Sequence, residues 1–283
     1  MQRSNIEQAF LKAGLKARIP AINQLVRNSI RLSAVPIDES KLGIGASKIG
    51  GHPDLPEDLS WPAFKGKPQS FLAQIRLADV QQFDHEKLLP PHGMLWFFYD
   101  ATQQTFGEQP ADQAGWSIFF KADPNPRLQR LPTPVGLPAA SLFPACALTP
   151  NNELTLAIQP ELEIPNFDWS EDEQQAYENV LEALHPPEER ALPHHRLLGY
   201  PDTIQDDMRE QCQLISNGVT DINDPRAARL LAGVSDWQLL LQIDSEASAK
   251  MRWADNGMVY YWIRRADLRA RRFDNGWLVL QSE

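Results

Sequence analysis

The chain has 283 residues, 42% of them hydrophobic, enough to bury a sizeable core in one large domain or two modest ones. Its formal net charge of −10 argues against general nucleic-acid binding, which needs a basic footprint on the phosphates, and suits a basic protein partner better. No stretch approaches the roughly eighteen apolar residues that span a bilayer, and residues 1–20 lack the apolar run of a secretory signal, so a cytoplasmic protein with no membrane association is expected.

Ser4 and Glu7 can form a capping box, and Ile6, Phe10, Leu11 and Leu15 recur at helical spacing, which predicts an amino-terminal helix. A second helix is predicted over Pro20–Ile30, with proline in its first turn and Ile22, Leu25, Val26 and Ser29 on one face. Beyond residue 36, short apolar runs punctuated by Pro, Gly and Asp predict strands over Phe71–Leu77, Met94–Tyr99 and Trp116–Phe120. Residues 123–165 are proline-rich and read as an irregular crossing segment with a strand near Leu154–Ile158. A helix follows, capped by Asp168 or Ser170 and ended by His185-Pro186-Pro187. Helices are then predicted over Ile204–Leu214 and Pro225–Leu231, and strands over Trp237–Ile243, Met258–Ile263 and Trp277–Leu280. Strands in runs with helices between them indicate an α+β fold.

Matching blocks occur in the same order in the two halves of the chain. Gly51-His52-Pro53-Asp54 corresponds to Gly199-Tyr200-Pro201-Asp202, Leu72-Ala73-Gln74-Ile75 to Leu240-Leu241-Gln242-Ile243, and Gly93-Met94 to Gly257-Met258; Trp116 and Trp277 open a weaker fourth echo. The expectation is an internal duplication of two mainly antiparallel-sheet halves with flanking helices. The second copy would absorb an insertion over Asp206–Leu231. On this division residues 1–35 form an amino-terminal helical segment, 36–122 the first half, 123–185 the crossing segment and helix, and 186–283 the second half. Each half would cover the other's apolar face, and the groove between them is the default place for a ligand.

The segments SKIGGHPDLPEDLSWP, FLAQIRL, GMLWFFYD, LLGYPDTIQ, LLLQIDSE and WADNGMVYYWI resemble the motif series of the YwqG-like family of uncharacterised bacterial proteins, from about residue 36 to the end. The resemblance implies a duplicated α+β fold and carries over no activity.

Ser47-Lys48-Ile49-Gly50-Gly51-His52, with three following prolines and Trp61, reads first as a structural turn; the alternative is that its two glycines, which allow positive φ, let their amides converge on an anion beside Lys48. A phosphate loop is excluded because Gly51 and His52 stand where Lys and Ser or Thr are required, and Ile49 breaks the nucleophile-elbow pattern around Ser47. Gln74 and Gln242 lie within apolar strands, where a buried carboxamide must bond to backbone, water or a ligand. Asp244 follows the second glutamine and is the better functional carboxylate, Asp255 being placed in a turn. Ser47, Lys48, His52, Gln74, Gln242 and Asp244 are therefore the ligand-binding candidates. His194-His195 lacks metal-ligand spacing, Cys146 and Cys212 lie in no CxxC pair and read as buried thiols, and neither metal nor cofactor is expected. With no reactive constellation, the leading expectation is a non-catalytic binding or interaction module, one form being an immunity-type protein that neutralises a basic toxin. The alternative is an enzyme or small-ligand receptor using the cleft between the halves.

Overall fold

The computed structural model describes residues 3–164 and 166–283. Ten strands form one antiparallel sheet: β1 (Val26–Pro36), β2 (Lys48–Ile49), β3 (Ser70–Arg76), β4 (Met94–Tyr99), β5 (Trp116–Lys121), β6 (Cys146–Leu156), β7 (Arg196–Leu197), β8 (Trp237–Asp244), β9 (Met258–Arg264) and β10 (Trp277–Gln281). Their spatial order is β10-β9-β8-β7-β1-β6-β2-β3-β4-β5. The long strands β1 and β6 pair at the centre, and from each of them a two-residue strand leads to a three-stranded meander. We call β2–β5 the first wing and β7–β10 the second.

The sheet curls nearly into a barrel, so that the wings meet. The Tyr261 hydroxyl donates to Phe98 O across 3.0 Å, the Trp116 indole donates to Gly276 O across 3.1 Å, and the Trp116 and Trp277 rings stack edge to face at 5.0 Å. Inside lies the main core, with Ile30, Ile75, Phe97, Leu241, Tyr261 and Val279 all buried. Outside the central strands, α1 (Arg3–Lys12), α2 (Ile19–Leu25) and α3 (Glu171–Leu184) cover Val26, Leu154 and Leu156 with Phe10, Ile22 and Tyr177. Ser170 caps α3 in a reciprocal box with Glu173. No helix among the described residues is long and apolar enough to cross a membrane.

Three elements differ from their sequence reading. The second helix ends at Leu25, and Val26–Pro36 is a strand, because pairing along its whole length with β6 outweighs the helical spacing of Val26 and Ser29. The supposedly irregular crossing segment contains β6, a central strand carrying Pro150. Proline is tolerated there because the Leu32 N–H turns towards His195 O; Pro150 therefore faces away from β1, beyond the two residues of β2. The helix predicted from Ile204 starts at Arg209 and forms α4 (Arg209–Ile215). Both cysteines are buried free thiols, as expected.

Candidate functional site

The opening glycines form the turn that leads from β2. At Gly50, with φ +63°, a Cβ would stand 2.2 Å from Pro144 O, so only glycine fits. The turn directs Lys48 inward, where its fully buried ammonium lies 2.8 Å from Glu39 and 3.5 Å from Asp54. Gln74 accepts from Asp54 N at 2.8 Å and donates to Ala46 O and Asp54 Oδ2, both at 2.9 Å. The Ser47 hydroxyl accepts from Arg76 N and meets Asp79 at 2.7 Å; the His52 ring bridges Glu39 and Thr133. Burial would raise the Asp54 pKa, yet the bonds from Arg130, Gly45 and Gln74 and the charge of Lys48 hold it below its ordinary value.

The second wing carries matching contacts. Gln242 accepts from Asp202 N at 2.9 Å and donates to His194 O at 2.7 Å and Asp202 Oδ2 at 3.0 Å. The fully buried Arg196 stands opposite Gln242, as Lys48 stands opposite Gln74, and lies 2.8 Å from Asp202 and 3.0 Å from Glu153. Burial again opposes ionisation of Asp202, and Arg196 and His194 outweigh it, leaving the carboxyl well below the usual range. Even the carbonyl of each aspartate is matched: Trp96 donates to Asp54 O and Tyr260 to Asp202 O. Asp244 accepts from His194 N and Ser245 N, and burial raises its pKa despite these bonds.

The six candidate residues therefore fall into two groups, one in each wing. Lys48, His52 and Gln74 are joined by one polar network through Glu39 and Asp54, Ser47 bonds separately to Asp79 and Arg76 N, and Gln242 and Asp244 are joined through His194. None of the six lines any of the five principal cavities among the described residues.

A different set of residues lines a cavity of about 180 Å³ where β1 meets the second wing and α4. Trp237, Gln238 and Trp262 come from the sheet; Arg27, Tyr200 and Arg209 face them. Trp262 is only 2% exposed, and its indole N–H has no hydrogen-bond partner within the protein. The same holds for Nε2 of Gln238. Leaving a buried donor unmet costs about 1–3 kcal/mol, so the unmet donors of these two cavity-lining residues are a feature that needs a partner. The cavity carboxylates Glu163 and Asp207 are engaged by Arg209, and Arg27 donates to the Tyr200 hydroxyl. Arg265 and Arg269, on α5 (Arg265–Arg269), complete the rim and make no ion pair among the described residues. Apart from Glu86, the unengaged groups are donors, suited to an acceptor-rich molecule.

The signals for this site were faint in sequence. Gln238 interrupts the apolar run of β8, and Arg264-Arg265-Ala266-Asp267-Leu268-Arg269-Ala270-Arg271-Arg272 is a basic run in an acidic chain. Nothing local links either to Trp262, whose aromatic strand reads as core.

No curated protein matches the chain. A family model matches residues 47–282, from the turn before Lys48 to the last strand. The chain belongs to the family described as Domain of unknown function (DUF1963).

Proposed function

We propose that the protein is a small-ligand binding module whose site is the cavity between β1, the second wing and α4. The observation that carries the reading is that two residues lining one cavity, Trp262 and Gln238, bear buried donors with no partner within the protein. A bound acceptor would recover the desolvation cost that the folded protein otherwise retains. Binding is favoured over catalysis because Glu163 and Asp207 are held by Arg209, which leaves Glu86 as the one cavity carboxylate without an ion-pair partner among the described residues. The cationic rim also favours a small acceptor-rich ligand over a basic protein partner, which would draw only on the overall charge.

Two further readings accompany this one. The matched contacts of Gln74 and Gln242, the mirrored strand order and the bulges at Phe71/Ala73 and Leu239/Leu241 support an internal duplication of the wings. Trp116 and Trp277 enter that duplication one position out of step, since Trp116 pairs with Tyr99 and Trp277 with Trp262, the match of Phe98. The quoted motif series supports YwqG-like membership.

A thermal-shift series over small carboxylates, phosphates and neutral amides tests the cavity reading. Ligands that bind the native state raise its Tm. We expect at least one class to do so for the native sequence and to lose the effect in Trp262→Phe/Gln238→Leu. A shift that persists in the double variant, or no shift from any class, overturns the reading.

A further inference from the structure

A second cavity, of about 400 Å³, continues from the first and shares Glu86, Leu88, Gln238, Arg265 and Arg269 with it. Its outer wall adds Lys87 and Arg271. Four cations thus face a single carboxylate, Glu86, in a protein whose formal net charge is −10. Such a local reversal of sign concentrates anions at one place on a surface that otherwise repels them.

The basic wall is built on a short frame. Arg265 and Arg269 are one helical turn apart on α5, on the same side of the helix. At the end of that helix Arg271 adopts φ +59°, and Arg272 N bonds back to Asp267 O. Glycine is the usual occupant of such a left-handed cap, so an arginine there accepts a backbone cost. Lys87 on the facing loop is also left-handed, at φ +52°. Arg272 is held by Asp267 and Arg264 lies over the Trp237 ring, whereas Arg265, Arg269 and Arg271 have no ion-pair partner among the described residues.

We propose that this outer groove is an anion clamp, in which Arg265, Arg269 and Arg271 hold a phosphate or carboxylate on the ligand whose head enters the inner cavity. The proposal rests on the cavity reading above and deepens it by naming the ligand class: a compact, planar, acceptor-bearing head joined to an anionic group. Trp237, Trp262 and Tyr200 supply ring surface for the head, and the Trp262 and Gln238 donors meet its acceptors. Guanidinium groups suit the anion because their forked donors match two oxygens at once.

Four probes separate the parts: phenyl phosphate, benzoate, benzyl alcohol and inorganic pyrophosphate, titrated calorimetrically into the full chain. The variants are Arg265→Ala/Arg269→Ala, Arg265→Lys/Arg269→Lys and Trp262→Phe; the arginines are exposed, so folding should survive their loss. We expect phenyl phosphate or benzoate to bind, and to weaken by about tenfold or more in the alanine variant and at high salt, with partial recovery in the lysine variant. Whichever binds more tightly identifies the anion as phosphate or carboxylate. Pyrophosphate, lacking a head, should depend on the arginines and not on Trp262. If benzyl alcohol binds as well as its charged analogues and depends on Trp262, the clamp is overturned while the cavity reading stands. If only pyrophosphate binds, the inner cavity holds solvent alone and the cavity reading fails. Anion binding that is indifferent to the alanine variant overturns the clamp outright.

Discussion

The two wings present the same ladder positions to opposite outcomes. Phe98 and Trp262 occupy matched places, two residues beyond Trp96 and Tyr260, which face Gln74 and Gln242. In the first wing Phe98 is packed by Phe71, Trp61 and Phe119, beneath a ribbon formed by Asp54–Pro56 and Leu128–Arg130. In the second wing the covering element is α4 and its flanking loops; the larger Trp262 ends beside a cavity with its N–H unmet. A repeated polar frame can thus hold either a sealed apolar face or an open one, depending on what the following segment lays over it. The frame supplies position, and the cover supplies chemistry.

The largest effects should come from breaking the frame. Lys48→Met leaves the fully buried Asp54 carboxylate short of a partner and should cost about 3–5 kcal/mol in urea unfolding, and Arg196→Met, which strips the part-buried Glu153 and Asp202, should cost at least about 2 kcal/mol. Comparable losses would support an equivalent role for the two cations. A loss below about 1 kcal/mol in one alone would mean that its carboxylate is held by other groups and that the frames are unequal.

An intermediate effect separates the covers. Phe98→Trp forces extra volume into a packed face and should lose about 1–3 kcal/mol, whereas Trp262→Phe removes a donor that bonds nothing and should lose only the packing of the missing ring atoms, about 1–2 kcal/mol. Paired thermal melts check this. A loss in Trp262→Phe well beyond that packing cost would show that the indole N–H is engaged in the folded protein.

The smallest effect is a pH dependence confined to the second wing. The carbonyl that accepts from Gln242 belongs to His194, and the one that accepts from Gln74 belongs to Ala46. Burial would lower the His194 pKa, but its bond to Asp202 at 2.9 Å raises it above the ordinary 6.5. Since the folded value is the higher one, this contribution is full below 6.5 and disappears as pH rises through the folded pKa. His194→Ala should therefore lose more stability at about pH 5 than at about pH 9, by less than roughly 1.5 kcal/mol. An equal loss at both ends would rule out a titrating role.

Much of the frame was readable from the chain itself. The glutamine blocks and aromatic strands carry strong local signals, and Met94–Tyr99 forms a strand over the expected residues. Gln74 and Gln242 stand out in the sequence as buried amides needing partners and Lys48 as a cation beside the glycine turn, and the structure supplies partners to all three internally. What escaped notice was long-range. Residues 26–30 look helical and 146–153 irregular in isolation, only Leu154–Leu156 reading as strand, and 26–36 and 146–156 become the central pair because each is the other's partner. Trp262 and the arginines of α5 gave separate signals, one of core and one of solvated charge, and only folding sets them around the same space.

The sequence by itself determined the alternation of strand, turn and polar block, because side-chain period, glycine conformation and the cost of burying an amide act over a few residues. Tertiary structure decided which face was sealed and which was left open. That outcome depends on how segments distant in the chain pack over each wing, and no local pattern encodes the shape of the space between them.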